Sequence, residues 1–209
     1  MSARVVSNDR DVKIPVGSSV GIDRITPANA LLTAPAHGRY YELCRQGNLF
    51  WAGNMAGAAH AYSVALTTTY TGLCLSNPIG NSKDIVIEAW GFSAGLAYVA
   101  LSMVGIMGGY STTECTHTTP GVFDTDFGCL NLGSKNSPTC LMDEHATIVT
   151  PRLLMALGHE AIATAVGAGS AAMIDIGGAI RLQPGGWCAT YCLTAITGNS
   201  CFWWSEDPR

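Results

Sequence analysis

Hydrophobic and polar residues alternate along much of this chain with the two-residue period of a β-strand. In "KDIVIEAW", Ile85, Val86 and Ile87 form an apolar run closed by Asp84 and Glu88. In "MIDIGG", Ile174 and Ile176 share one face and Asp175 takes the other. Similar short runs recur: "LFWAG", "AYSVALTTTY", "GLCLSNP", "LAYVALSMVGI", "ATIVTPRLLMAL", "AIRLQ", "WCATYCLTAI" and "CFWWSE". Most are rich in β-branched and aromatic residues, and Gly, Asn and Pro separate them. Many short strands with turn signals between them predict an all-β fold, an antiparallel β-sandwich of jelly-roll type.

Three stretches break the pattern. Residues 1 to 35 are polar and irregular, with Pro15, Pro27 and Pro35 as breakers, and read as an extended N-terminal arm. Residues 36 to 209 then form a single β-sandwich domain. "HGRYYELCRQGN" (37 to 48) predicts one short helix stopped at Gly47. The section from 112 to 140 is long, polar and turn-rich, a surface excursion of the kind where binding tends to reside.

"IRLQPGGWCATYC" (180 to 192) reads as two strands joined by a turn at Pro184-Gly185-Gly186. After the turn, Trp187, Ala189, Tyr191 and Leu193 share one face, and Cys188, Thr190 and Cys192 the other. At ~3.3 Å per residue the two thiols lie ~13 Å apart, too far to bridge or to form a local metal clip. The stretch is therefore read as a β-hairpin with packing cysteines.

Composition narrows the function. The chain is 48% hydrophobic and only 12% charged, about half the usual charged share, which suits a surface partly covered by neighbouring subunits. The net charge of -4 and the absence of any Lys/Arg run argue against nucleic acid as a partner. "MSARVVSNDRDVK" has no apolar core of a secretory signal. The uncharged segment 91 to 110 is the one membrane candidate, but its glycines divide it into two strand-length pieces, so no membrane is expected. Without an export signal, the eight cysteines are read as free and mostly buried thiols.

No catalytic, cofactor-binding or metal residue is expected. "GHEAIA" (158 to 163) starts like a zinc-protease helix, but Ala163 stands where the second His belongs. Cys115, Cys129, Cys140, His117 and His145 could supply zinc ligands if the long excursion folded back; scattered thiols and imidazoles explain the pattern more simply. "GFSAG" (91 to 95) has the spacing of a nucleophile elbow at Ser93, with His145 and His159 downstream. The adjoining "LAYVALSMVGI" reads as a strand as readily as the helix an elbow requires. "SNPIGNSKD" (76 to 84) lacks the phosphate-loop spacing and reads as a wide turn. Phe202, Trp203 and Trp204 read as core or subunit contacts before a sugar platform.

Four stretches taken together, "HGRYYELCRQGNLFWAGNMAG", "ALTTTYTGLCLSNPIGNSKDIVI", "GGAIRLQPGGWCATYCLTAITG" and "FWWSEDP", resemble small structural proteins of tailed bacteriophages and viral metagenomes. The likeness rests on Arg45 to Asn48, the Asn77-Pro78 turn and the Pro184 to Gly186 turn. It implies a β-sandwich component of a phage particle and carries over no functional residue. The expected role is a capsid decoration or cement protein on the virion surface, assembled in the host cytoplasm. It would bind the major capsid protein as a homo-oligomer, a trimer matching local three-fold positions. The competing expectation is a tail-fibre or receptor-binding knob that recognises host glycan through the 112 to 145 section.

Overall fold

The computed structural model describes residues 3–7, 10–14, 24–25, 31–32, 40–54, 60–63, 66–94, 102–113, 115–160 and 171–209. The chain divides into two compact units, Met1–Glu42 and Leu43–Arg209. In the first, β1 (Ala3–Ser7) pairs antiparallel with β2 (Arg10–Ile14), and β3 (Arg24–Ile25) with β4 (Leu31–Leu32). The polar, proline-broken character of the first 35 residues does not predict these ladders. Alternation is present on a small scale there, with Val5 opposite Val12, and Pro15, Pro27 and Pro35 lie outside the described residues.

The predicted helix is α1 (Tyr41–Arg45). It ends in a Schellman motif: the Asn48 N–H donates to Leu43 O and the Gly47 N–H to Cys44 O, both at 2.9 Å. Gly47 sits at φ 69°, where glycine carries no steric penalty.

The second unit is a two-sheet sandwich in which every strand pair is antiparallel. Its strands are β5 (Leu49–Gly53), β6 (His60–Tyr62), β7 (Thr69–Ser76), β8 (Lys83–Ala94), β9 (Ser102–Tyr110) and β10 (Thr116–His117). They continue with β11 (Phe127–Cys129), β12 (Leu141–Thr147), β13 (Arg152–Glu160), β14 (Ala171–Leu182), β15 (Gly186–Cys192) and β16 (Ile196–Pro208). The first sheet runs β10-β12-β7-β15-β9-β13; the second runs β11-β5-β16-β8-β14, with β6 also on β16.

The pairing is nested. β7 pairs with β15, β8 with β14 and β9 with β13, as if a long antiparallel ribbon had been rolled up, which is the jelly-roll pattern. Among the described residues no fourth, innermost pair completes the roll. The segment between β9 and β13 instead carries β10 and β12 past β7 in the first sheet and β11 past β5 in the second. This leaves β13 and β14 as edge strands. Both are irregular: β13 shifts register twice, and β14 shifts between Asp175 and Ile180, where Gly177 and Gly178 have φ 61° and 78°. The opposite edges are two- and three-residue strands, β10 and β11. Short and bulged edges resist strand addition by another chain.

The core lies between the sheets and centres on Trp90, Trp204, Tyr70 and Phe202, all fully buried; truncating such a ring typically costs about 3–5 kcal/mol. A bulge explains how β8 contributes so much of it. Trp203 opposes Ala89 and Trp204 opposes Ile87, so Glu88 is the extra residue. The inward parity therefore switches from Ile85 and Ile87 to Trp90 and Phe92. The Trp90 Nε1–H then reaches across to Thr190 Oγ1 of the first sheet at 3.1 Å.

The turn at 184 to 186 is not a hairpin. Gly186 N–H donates to Gln183 O at 2.7 Å and Gly185 sits at φ 88°, a type II turn with Pro184 in its preferred place. The strands it joins belong to different sheets, β14 to the second and β15 to the first. The turn is a corner of the sandwich. Asn77 fixes it: its backbone N–H and C=O pair with Gly186 O and Gly185 N at 2.8 Å each, and its Nδ2 donates to Leu182 O at 2.9 Å. β15 is buried along its whole length, on both faces. Thr190, and with it Cys188 and Cys192, faces the second sheet; on the other side the Trp187 Nε1–H donates to Val149 O at 3.2 Å.

The former membrane candidate supplies the end of β8 and all of β9, and its central residues 95–101 lie outside the described residues. Among the described residues no helix is long and apolar enough to cross a membrane.

Candidate functional site

The side chains that the sequence singled out are mostly used within the fold. His117 Nδ1 contacts Asp143 Oδ2, and Asp143 Oδ1 accepts the Thr119 N–H at 2.9 Å. His145 Nε2 is paired with Thr71 Oγ1 at 2.8 Å. Cys129 lies on β11, opposite Phe50 in the second sheet, and Cys140 Sγ–H points at Ser76 O at 3.4 Å. Cys129 thus sits on the second sheet, while His117 and His145 sit on the first, on β10 and β12. Among the described residues no group of three or more His, Cys, Asp and Glu is placed to hold a metal ion.

Ser93 lies within β8, paired to Ala171 on one side and Asn199 on the other. An elbow needs a sharp turn at that point, so Ser93 is not so presented. Gly158, His159 and Glu160 end β13, and residues 161 to 163 lie outside the described residues. The 76 to 84 stretch is the wide turn between β7 and β8. Phe202 and Trp204 are core residues, while Trp203 is half-buried opposite Trp51.

Four of the buried thiols are poor nucleophiles. The eight cysteines are free, six of them buried. Burial pushes Cys74, Cys140 and Cys188 far above the usual thiol range and Cys192 up to about 12. Thiolate is the reactive form, so these groups stay inert. Glu206 is likewise structural. It accepts from Lys83 Nζ at 2.9 Å, from Thr139 N and Oγ1 at 2.6 and 2.9 Å, and from Cys140 N at 3.1 Å.

What remains open is a cleft beside the sandwich corner, about 390 Å³ in volume, between the ends of β9 and β13 on one side and β14 on the other. Arg152, Arg181, Tyr110, Thr150 and Leu154 line it, and Trp187 closes its inner end. Each is placed by a different part of the roll. Arg152 opens β13 opposite Gly108, and Arg181 lies near the end of β14 opposite Val86. Gly108 and Gly109 let the chain pass close to Trp187; a Cβ on either would stand 2.8 Å from its carbonyl oxygen or its ring. Thr150 holds the left-handed backbone at φ 47°, an arrangement rare for a β-branched residue and found disproportionately at functional sites.

Arg181 is anchored through Nε and Nη2 to Asp84 Oδ2 at 2.8 and 2.7 Å, and Arg209 Nε approaches Asp84 Oδ1 at 3.4 Å. Arg152 is exposed and forms no ion pair with any described residue. The lining therefore holds two arginines and no acid. Neither arginine stood out in the sequence. The available signal was an isolated arginine inside an apolar strand, in "TPRLL" and "AIRLQ", in a chain with only 11 basic residues. A second cavity, about 380 Å³, lies over Gly91, Phe92, Met173 and Cys201 and carries no charged residue.

No family model, no curated protein and no solved structure matches the chain.

Proposed function

We propose that this chain is a structural protein of a phage particle, a capsid decoration or cement protein that binds the lattice formed by the major capsid protein. The observation that carries the reading is the inward turn of its reactive groups. Glu206, Asp84 and Asp143 are buried and engaged, and six thiols are buried, on a rolled-up sandwich. Such a domain is a scaffold whose outer surface does the work. The stretches that resemble phage structural proteins, and the low charge, point the same way. A lattice-binding role favours a cyclic oligomer, and a trimer fits local three-fold positions. Blunted sheet edges fit it too, since they resist uncontrolled strand addition and leave faces and the first 35 residues for the contacts.

The test is binding to particles that lack the protein. The full chain should co-sediment with them, and a chain without residues 1 to 35 should keep its β-sheet circular dichroism yet lose that binding. Unchanged binding by the truncated chain would refute the arm's part in the attachment. Failure of the full chain to bind would remove the reading.

One observation favours a second reading, a tail-fibre or receptor-binding knob for host glycan: the arginine-lined cleft beside the exposed Tyr110.

A further inference from the structure

We infer that the cleft between β13 and β14 binds a sugar that carries a carboxylate. The charge comes first. The chain as a whole is negative, at -4, yet this cleft presents Arg152 and Arg181 with no acid in its lining. Asp84 does not cancel them. It is buried behind Arg181 and shared with Arg209, so these three groups together keep one positive charge. Arg152 adds another. Asp84 also orients Arg181. Contact through Nε and Nη2 turns one side of the guanidinium inward, and the side chain remains 52% exposed. An anchored fork beside an uncommitted one is suited to an incoming anion.

The shape of the donors selects among anions. Both are arginines, planar forks that pair with a carboxylate or a phosphate through paired hydrogen bonds, which favours such oxyanions over simple halide-like ions. The cleft has no lysine and no helix N-terminus among its lining residues. A phosphate site would draw on free backbone N–H groups.

The remaining surface selects a ring. Tyr110 is 59% exposed and Leu154 is 48% exposed, large apolar faces that the fold leaves uncovered. Thr150 adds a hydroxyl at a backbone position the chain adopts against preference. Apolar walls with a few fixed polar groups are the ordinary make-up of a small-ligand site, and about 390 Å³ lies in the range such sites occupy. Among the described residues β13 and β14 end their sheets, and the cleft lies between them.

The assignment concerns the β-domain alone and is independent of where the protein sits on a particle. The experiment titrates the full chain with glucuronic acid and with N-acetylneuraminic acid, using glucose and inorganic phosphate as comparators, and measures binding by calorimetry and NMR shifts. At least one acidic sugar should bind saturably, with binding weakened by salt. Glucose and phosphate should not. Arg152→Ala, at an exposed position, should keep the melting temperature and lower the affinity by about tenfold or more, the loss expected for a charge-assisted hydrogen bond; Arg152→Lys should recover only part of it. Three results would overturn the inference: no saturation by either acidic sugar, equal binding of glucose or phosphate, or unchanged affinity in Arg152→Ala. Failure here leaves particle binding intact, and failure of particle binding leaves this result intact.

Discussion

Cys188 and Cys192 sit on a strand with no exposed residue, and their chemistry is set by that position. The same burial governs Cys74 and Cys140, while Cys201 is only partly covered and raised less. The consequence is a pH dependence of known sign. An unfolded thiol ionises near its usual value of 9.0, whereas folded Cys192 holds its proton to about 12. Stability is therefore complete below about pH 9 and falls as pH rises towards the folded values. Tyr62 and Tyr70, raised by burial from 10.0, add to the decline at higher pH. Urea unfolding should show stability dropping above pH 9 by about 1 kcal/mol per pH unit for each ionising buried thiol. Cys188→Ala should flatten the slope. A profile that stays level to pH 11 would contradict the buried, protonated state of these groups.

At the scale of elements, the corner at 183 to 186 shows how much the sequence disclosed. Pro184 followed by Gly185 specifies a type II turn on chemical grounds, and the turn is there. Which strands it joins is another matter. β14 pairs with β8, about ninety residues back in the chain, and no local signal encodes that distance. The hairpin reading failed for that reason, and so did the splitting of β14 in two: Gly177-Gly178 marks a bulge within one strand. The helix stop at Gly47 was legible because capping is local. The 112 to 140 section was not, because Cys115, Cys129, Cys140 and Asp126 are buried there by contacts with distant strands. The cleft was hidden for the same reason. Arg152 and Arg181 meet only through the nested pairing of β9 with β13 and of β8 with β14. Two glycine variants test the corner. At Gly185 a Cβ would stand 2.4 Å from Ser111 O with the backbone at φ 88°, so Gly185→Ala should lose about 1–3 kcal/mol or more. Gly80, in the facing turn, has nothing within 4 Å, and Gly80→Ala should be close to neutral by thermal melting. Equal effects at the two positions would mean that the corner is not a fixed point.

At the scale of the whole molecule, the β-domain is a rolled sandwich that turns six thiols and acids such as Asp84, Asp143 and Glu206 inward. The all-β class and the sandwich were legible from alternation and turn chemistry. What the domain attaches to depends on surfaces that periodicity does not encode. A protein that cements a capsid must be present in proportion to the lattice it binds, whereas a receptor-binding knob is confined to the tail. Quantitative mass spectrometry of purified particles, with and without their tails, separates the two most directly. A cement protein should appear in fixed proportion to the major capsid protein, and that copy number should survive tail removal. A few copies per particle, lost with the tails, would contradict the capsid role.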